Sequence, residues 1–202
     1  MRFQLAISAS VAALGLFSTS AFADESWTHF YAGVYSDYSS VNTQLSPTNG
    51  YVFAVNGLSG GVMLGYDKQF GSFVLGAEGD FGYSGVNGGG GDGSWVINMS
   101  GLDLAARLRA GYAFDNLLLY GTGGVTSAPW VESYNGGTSL LNERETGWQV
   151  GGGLEYAISR DVNIRGEYIY TNYGLSSGLS IAPNIQMQTN SSTFRLGLSY
   201  KF

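Results

Sequence analysis

Charged side chains recur at every second position in several short segments of this 202-residue chain. Glu78 and Asp80 have this spacing, and so do Arg107 and Arg109. Because successive side chains of a β-strand point to opposite faces, each such pair would lie on one face of its strand. The same alternation selects eleven residues: Asp67, Glu78, Asp80, Asp103, Arg107, Arg109, Glu155, Arg165, Glu167, Arg195 and Lys201. We predict that they form a charge network inside a narrow lumen, where each charge needs a counter-ion.

Such a network has two functional interpretations. Salt bridges across the lumen would plug it, because a barrel of eight strands is just wide enough for side chains to fill. Alternatively, the same charges would form the constriction of an ion path. The small diameter of an eight-stranded barrel favours the plug.

Other residues with chemical potential give weaker signals. His29 is the single histidine, and catalysis by histidine with serine or glutamate would need a neighbouring nucleophile that it activates. Its position at the start of the first strand favours a polar residue beside Trp27 at the membrane interface. The glycine run 88–91 before Asp92 lacks the lysine and hydroxyl residue of a phosphate loop. We expect no catalytic residue, no metal site and no cofactor.

The strands that must position these side chains have a period of two. In residues 73–83 and 102–112, apolar or small residues occupy one set of alternate positions and the carboxylates and arginines occupy the other. Six further segments, 29–39, 57–67, 117–126, 146–157, 162–172 and 193–202, complete eight strands of about ten residues, the length that a tilted strand needs to cross a bilayer. The faces of 117–126 stay ambiguous, because both are apolar.

The connections alternate between short and long. Short turns are predicted at 68–72, 113–116 and 158–161, and long polar loops near 40–56, 85–95, 127–145 and 173–192. Outer-membrane barrels have this asymmetry, with short periplasmic turns and longer external loops. Aromatic residues near the strand ends predict two interfacial girdles. They are Trp27, Phe30, Tyr66, Phe70, Tyr83, Tyr112, Phe114, Tyr156, Tyr168, Tyr170, Tyr200 and Phe202.

The N-terminal segment predicts export. Arg2, an apolar stretch to Phe17 and the sequence Ala21-Phe22-Ala23 are typical of a signal peptide cleaved before Asp24. The predicted domains are a signal peptide, 1–23, and a barrel, 24–202. After residue 23 no run of 18 apolar residues occurs, so a membrane-spanning chain would have to use a closed barrel.

The composition limits the partners. A formal net charge of −6 argues against nucleic acid, because phosphate binding needs a basic surface. The chain has no cysteine, which excludes disulfides and thiolate metal sites. Charged residues are only 12% of the chain. The expected partners are outer-membrane lipid and lipopolysaccharide, periplasmic chaperones and the barrel-assembly machinery, with a homo-oligomer also open.

Several strings of residues resemble one protein family. They include Phe30-Tyr31-Ala32-Gly33 after Trp27, residues 108–112 (LRAGY), 119–124 (LYGTGG), 147–156 (GWQVGGGLEY) and 195–202 (RLGLSYKF). Together they resemble the small porin-like outer-membrane immunogenic proteins of alphaproteobacteria. The resemblance implies an eight-stranded outer-membrane barrel with roles in envelope integrity and surface antigenicity, and haem binding in some members. It also implies that Tyr200 and Phe202 on the last strand form the signal that the assembly machinery recognises.

The sequence thus predicts an all-β protein, an eight-stranded antiparallel up-and-down barrel in the outer membrane of a Gram-negative bacterium. The predicted function is structural, with the lumen plugged by charged side chains. The alternative is a narrow porin, or a loop-borne binder of haem or of a host surface. Haem would be served by tyrosines, of which the candidates are Tyr31, Tyr35, Tyr38, Tyr51 and Tyr134.

Overall fold

A computed structural model describes residues 27–46, 52–89, 95–98, 100–134, 138–179 and 182–202. The predicted signal peptide, 1–23, lies outside these ranges. The described strands are β1 (His29–Ser46), β2 (Val52–Phe70), β3 (Phe73–Ser84), β4 (Asn87–Gly89), β5 (Trp95–Asn98), β6 (Gly101–Phe114), β7 (Leu117–Tyr134), β8 (Thr138–Ala157), β9 (Val162–Leu179) and β10 (Ala182–Lys201). Within the described residues, no helix has the length and apolar character needed to cross a bilayer.

The eight long strands form a closed antiparallel barrel, which confirms the predicted fold class. The hydrogen-bonded order runs β7-β6-β3-β2-β1-β10-β9-β8, and β8 pairs with β7 to close the ring. β10 pairs with β1 from Tyr31 opposite Lys201 to Ser46 opposite Gln186. The short strands β4 and β5 pair with each other, and β5 also pairs with the outer end of β7. Closure leaves no free sheet edge within the membrane, as a chain surrounded by lipid requires.

The two faces of the wall follow the predicted alternation. On β3, Val74, Glu78 and Asp80 point inward and are buried, whereas Leu75 and Phe81 at the alternate positions are more than half exposed. The outward residues meet lipid hydrocarbon in the membrane, so their exposure is favourable there. Apart from Trp27, the predicted girdle residues lie on this outer face.

The structure shows which residues of β7 face the lumen, a point that the two apolar faces of 117–126 left open in the sequence. Leu118, Tyr120, Thr122 and Thr126 are buried inside, and Leu119 faces outward. Leu118 points inward, where it packs with Trp27 and Val74 in an apolar cluster. This cluster closes the lumen at the end of the barrel where the described chain begins and ends. Trp27 was predicted at the membrane interface, but it is 1% exposed and donates from its indole nitrogen to the Asp115 carbonyl at 3.2 Å. That placement was wrong, since the indole stops the barrel mouth.

The turns are short, as predicted, at the end of the barrel that holds both ends of the described chain. Gly71 adopts φ 63° between β2 and β3, and Asp115 adopts φ 51° between β6 and β7. In the third turn the Ser159 hydroxyl accepts from the backbone nitrogens of Asp161 at 3.3 Å and Val162 at 3.1 Å. The three turns share one end of the barrel with both ends of the described chain, which is the periplasmic end in this class.

The long external loops are largely strands, which corrects the prediction. β7 continues to Tyr134 and β8 begins at Thr138, so most of residues 127–145 is a paired hairpin. Residues 173–192 and 40–56 are likewise mostly hairpin. Their polar composition suggested loops, but polar strands can continue beyond the bilayer because only backbone groups are needed for the ladder.

Candidate functional site

The charged lumen is built from neighbouring positions on adjacent strands. Glu78 lies opposite Arg107 across β3 and β6, and Glu155 lies opposite Arg165 across β8 and β9. Arg195 on β10 lies opposite Asp37 on β1 and opposite Glu167 on β9. Antiparallel pairing therefore brings opposite charges side by side on the inner face.

Glu78 is the centre of this network. One of its oxygens pairs with Arg107 and the other with Arg165, and Tyr31 donates a hydrogen bond to it at 2.7 Å. Arg109 lies 3.8 Å from the same carboxylate. These side chains are all almost completely buried. The carboxylate thus neutralises arginines from two opposite parts of the wall.

Glu155 anchors the network towards the periplasmic end. It pairs with Arg109 at 2.6 Å and accepts from the Asn163 amide at 2.7 Å. Arg165 Nε lies 3.7 Å away. Asp67 has no exposed surface and faces Arg109 Nε at 3.6 Å, a distance too long for a hydrogen bond. Asp67 therefore contributes charge without direct hydrogen bonding.

Glu167 lies on the other side of the lumen. It accepts from the Tyr120 hydroxyl at 2.6 Å and pairs with Arg107 at 3.2 Å. Arg165 and Arg195 each approach it to 3.9 Å. The arginines are thus shared among carboxylates, and the network continues across the barrel.

Arg195 closes the network on the external side. Its guanidinium donates to both oxygens of Asp37, at 2.8 and 2.9 Å, and to Asp80 at 2.7 Å. Asp80 in turn lies 3.2 Å from Arg107. A bidentate arginine–carboxylate pair is among the strongest polar contacts in proteins. Arg195 also stacks 3.7 Å from the centre of the Tyr35 ring.

Two predicted members lie outside the ion pairs. Asp103 on β6 faces inward and accepts from the Thr126 hydroxyl at 3.1 Å, without an arginine partner in the described part of the chain. Lys201 is only partly buried, and its Nζ lies 5.8 Å from the centre of the Trp27 ring. The expectation that Lys201 neutralises lumen carboxylates is wrong for the described residues, because the lysine caps the apolar cluster at the barrel mouth.

Sequence reasoning missed Asp37, Tyr31, Tyr35 and Tyr120. Alternation within β1 could have found three of them, because residues 31, 35 and 37 share the inward face with the other odd positions of the strand. Two haem candidates, Tyr31 and Tyr35, are instead buried among the arginines. Tyr38 faces outward and is 52% exposed. Tyr51 lies outside the described residues, as does the side chain of Tyr134.

Glycines make room for these tyrosines. A Cβ on Gly65 would collide with the Tyr31 ring, and one on Gly82 would collide with the Tyr35 hydroxyl. A Cβ on Gly153 would likewise meet the Tyr120 hydroxyl, and one on Gly124 would meet the Ala106 carbonyl. Tyr31 and Tyr120 therefore depend on space left by the glycine directly opposite on the neighbouring strand, and Tyr35 on a glycine two strands away.

His29 lies in an aromatic setting at the periplasmic end. Its ring centre is 6.3 Å from that of Trp27 and 6.1 Å from that of Tyr31. Of the glycine run 88–91, Gly88 and Gly89 belong to β4, and residues 90–92 lie outside the described ranges. In the described residues, no group of three acidic or histidine side chains could hold a metal ion.

Apart from Asp103, the arginines and carboxylates of the lumen pair with one another. Such a network holds the opposite walls of the lumen together and fills the space between them. An ion crossing the barrel would have to displace these buried pairs, and breaking a buried pair costs about 3–5 kcal/mol.

Known proteins resemble this chain over most of its length. Residues 9–202 match the family model for the outer membrane protein beta-barrel domain. The 31 kDa outer-membrane immunogenic protein of Brucella melitensis is 32% identical, over 88% of this chain and 84% of that protein. The 22 kDa outer membrane protein of Rhizobium leguminosarum is also 32% identical, over 88% of this chain and 79% of that protein.

Among solved structures, Neisserial surface protein A is similar with a TM-score of 0.53 and 16% identity, covering 86% of this chain and 97% of that one. At this identity the likeness concerns the fold alone. Together with the closed barrel and its lipid-facing surface, the matches confirm the predicted location and fold. This chain belongs to the outer-membrane β-barrel protein family.

Proposed function

We propose that this protein is a sealed structural barrel, which strengthens the outer membrane and displays its external hairpins without conducting solutes. The observation that carries the proposal is the arginine–carboxylate network centred on Glu78, because it joins strands on opposite sides of the lumen. A narrow porin is not favoured, since a water path would have to break several of these pairs.

The lumen is filled at two levels, which supports a seal. The apolar cluster of Trp27, Val74, Leu118 and Tyr120 closes the periplasmic mouth. The ion pairs occupy the middle of the barrel. The apolar cluster would exclude an ion because the ion would lose its hydration there. The ion pairs would exclude it because their charges would have to be separated.

Surface antigenicity follows from the external hairpins. The Brucella relatives carry the description outer-membrane immunogenic protein. Here β7–β8 and β9–β10 extend beyond the level where the β6–β7 and β8–β9 ladders end. We infer that these hairpins form the surface that antibodies would meet.

We further infer that the protein is not an enzyme. The Brucella relatives are described as outer-membrane immunogenic proteins, and the inward acidic and basic groups around Glu78 and Glu155 form ion pairs with one another. A general base or an activated nucleophile needs a group that is free to exchange a proton with substrate.

The assembly machinery and lipopolysaccharide remain the proposed partners. Tyr200 and Phe202 are 56% and 71% exposed on the outer face, where an assembly factor could contact them. The Phe202 backbone nitrogen donates to the Phe30 carbonyl at 3.0 Å, which ties this segment to β1. A homo-oligomer stays a prediction.

Single-channel recording in planar bilayers tests the seal. The purified protein should give no sustained conductance steps in salt solution. The triple variant Glu78→Gln, Asp80→Asn, Glu167→Gln should give steps or a raised baseline, because three of the carboxylates that hold the lumen arginines would be lost. Asp161→Asn in a periplasmic turn is the control and should be silent. Regular steps from the unmodified protein would overturn the proposal.

A gene deletion tests the envelope role. Cells without the protein should become more sensitive to detergents and to bulky antibiotics. Reintroducing the wild-type gene should restore their resistance. Unchanged sensitivity would remove the envelope role while leaving the seal itself untouched.

A further inference from the structure

Aromatic, amide and hydroxyl side chains form a hydrogen-bonded cluster on the outer face of β8, β9 and β10. The Tyr170 hydroxyl donates to the side-chain oxygen of Asn190 at 2.9 Å, and the Asn172 amide donates to the same oxygen at 2.8 Å. The Tyr168 hydroxyl donates to the Ser192 hydroxyl at 3.0 Å. The cluster, called the outer platform, consists of Trp148, Tyr168, Tyr170, Asn172, Asn190 and Ser192.

The outer platform lies at the external boundary of the membrane. Trp148 opposite Asn172 is the outermost pair of the β8–β9 ladder, which runs from there to Ala157 at the periplasmic end. About ten residues of tilted strand span the hydrocarbon layer. Trp148 is exposed, and its ring centre lies 5.9 Å from that of Tyr170, as is typical of aromatic residues at the interface. The amides beside these rings therefore lie at the level of the lipid headgroups.

The outer platform covers one side of the barrel. On the opposite side, the external ends of β2, β3 and β6 present Leu58, Tyr83 and Leu102 to the outside, and each is more than half exposed. Tyr83 shows that this side also has an interfacial ring. An aromatic girdle therefore explains the rings on both sides, but it does not explain the amides and hydroxyls of β9 and β10. Those polar groups indicate a contact that the opposite side does not make.

Basic residues are scarce at the external end. The chain has nine lysines and arginines, of which Arg2 lies in the predicted signal peptide. Arg144 on β8 is the one that remains for the external end, and it donates to the Ser127 carbonyl at 2.7 Å. The others lie in the lumen or at the periplasmic end, namely Lys68, Arg107, Arg109, Arg160, Arg165, Arg195 and Lys201. Because proteins usually bind phosphate with arginine or lysine, the external end is poorly suited to hold the phosphates of a lipid.

We propose that the outer platform binds the sugar part of lipopolysaccharide, the glycolipid of the outer leaflet, through ring faces and neutral hydrogen bonds. A sugar turns C–H groups towards the electron-rich face of an aromatic ring, and its hydroxyls exchange hydrogen bonds with amides and hydroxyls. Trp148 and Tyr168 supply exposed ring surface. Asn190 holds the Tyr170 hydroxyl and the Asn172 amide in fixed positions beside them. The inference rests on the lipopolysaccharide contact proposed above, and it specifies the face and the chemistry of that contact.

Native mass spectrometry of the full chain, purified in a detergent without a sugar headgroup, measures the binding. The probes are rough lipopolysaccharide and the same lipopolysaccharide after its phosphates have been removed. The dissociation constants of the two probes should agree within about twofold, because exposed charge contacts contribute little. EDTA should release neither probe, since no divalent cation has to bridge protein and phosphate. Phosphatidic acid, an anionic lipid without a sugar, should not compete.

Trp148→Leu keeps an apolar residue at the membrane boundary and removes the ring. It should weaken the binding of both probes about fivefold or more, because a ring contact is lost. Tyr83→Leu is the matched control, since it removes an exposed ring from the external end of the opposite wall, and it should bind as the wild type does.

Asn190→Leu provides a second variant if Trp148→Leu does not fold, and it should also weaken both probes. Folding of each variant is checked by the shift of the unheated band in gel electrophoresis. Equal binding by Trp148→Leu and Tyr83→Leu would overturn the proposal. Loss of binding after removal of the phosphates, or with EDTA, would also overturn it while keeping lipopolysaccharide as a partner. No binding of either probe would remove both the platform and that partner, whereas the seal is tested separately by conductance.

Discussion

Glu78 and Arg107 face each other across the β3–β6 ladder, and Arg165, on the far wall of the lumen, pairs with the same carboxylate. One acidic side chain thereby links three strands, of which β9 is not a neighbour of β3 or β6. The hydrogen bonds of the wall alone would not specify how the side chains inside the lumen pack. The carboxylate that Arg107 and Arg165 share holds these side chains in one arrangement.

Glu78→Gln keeps the size of the side chain and removes its charge. We expect the free energy of unfolding to fall by about 3–5 kcal/mol, because Arg107 and Arg165 would stay buried with less compensation. Urea unfolding in lipid vesicles, followed by tryptophan fluorescence, measures the loss. Asp161→Asn is the matched control, since Asp161 is exposed in a turn. Equal stability of the two variants would contradict the central role of Glu78.

Gly65→Ala tests the space reserved for Tyr31. The added Cβ would meet the Tyr31 ring, and overpacking of this kind costs about 1–3 kcal/mol. Gly79→Ala is the control, because a Cβ there has open space on the outer face. The folded fraction after refolding into detergent, measured by the gel shift, should fall only for Gly65→Ala. If both variants refold equally, the close approach of Tyr31 to β2 is not limiting.

Leu108→Arg tests the lipid-facing assignment of β6. Leu108 is 70% exposed near the middle of the strand, where an arginine costs about 2–4 kcal/mol in the bilayer. Phe70→Arg at the periplasmic rim should cost about 0–1 kcal/mol from the depth dependence alone. Unfolding of both variants in vesicles gives the comparison. A smaller loss at position 108 than at position 70 would place Leu108 away from the hydrocarbon core.

Trp27→Ala separates the two layers of the seal. Removing this buried indole should cost about 3–5 kcal/mol in unfolding free energy. Conductance should nevertheless stay absent, because the ion pairs around Glu78 still fill the lumen. Val34→Ala on the outer face is a control for truncation and should cost less. Open channels in Trp27→Ala would show that the apolar cluster, and not the ion network, closes the barrel.

The sequence by itself determined the central part of each of the eight long strands, the side of the wall for most of their residues outside β7, and the short periplasmic turns. These properties are local, since the alternation of two in Glu78 and Asp80, or in Arg107 and Arg109, places both members on one face whatever the partner strand. Membership of the lumen could therefore be predicted for most of the charged residues. The same alternation in β1 would also have found Asp37.

Only the tertiary structure decided which charges meet. Asp37 and Arg195 are 158 positions apart and become partners because β10 closes on β1 in one register. Leu118 turns inward because Trp27 and Val74 offer it an apolar contact, a choice that two equally apolar faces of β7 left open. Lys201 occupies an inward-facing position of the alternation, but its side chain lies beside the Trp27 ring. The reason is that Lys201 is at the level of the periplasmic mouth of the barrel. Parity along a strand is a local property, whereas height and partner depend on strand tilt, register and closure of the whole ring.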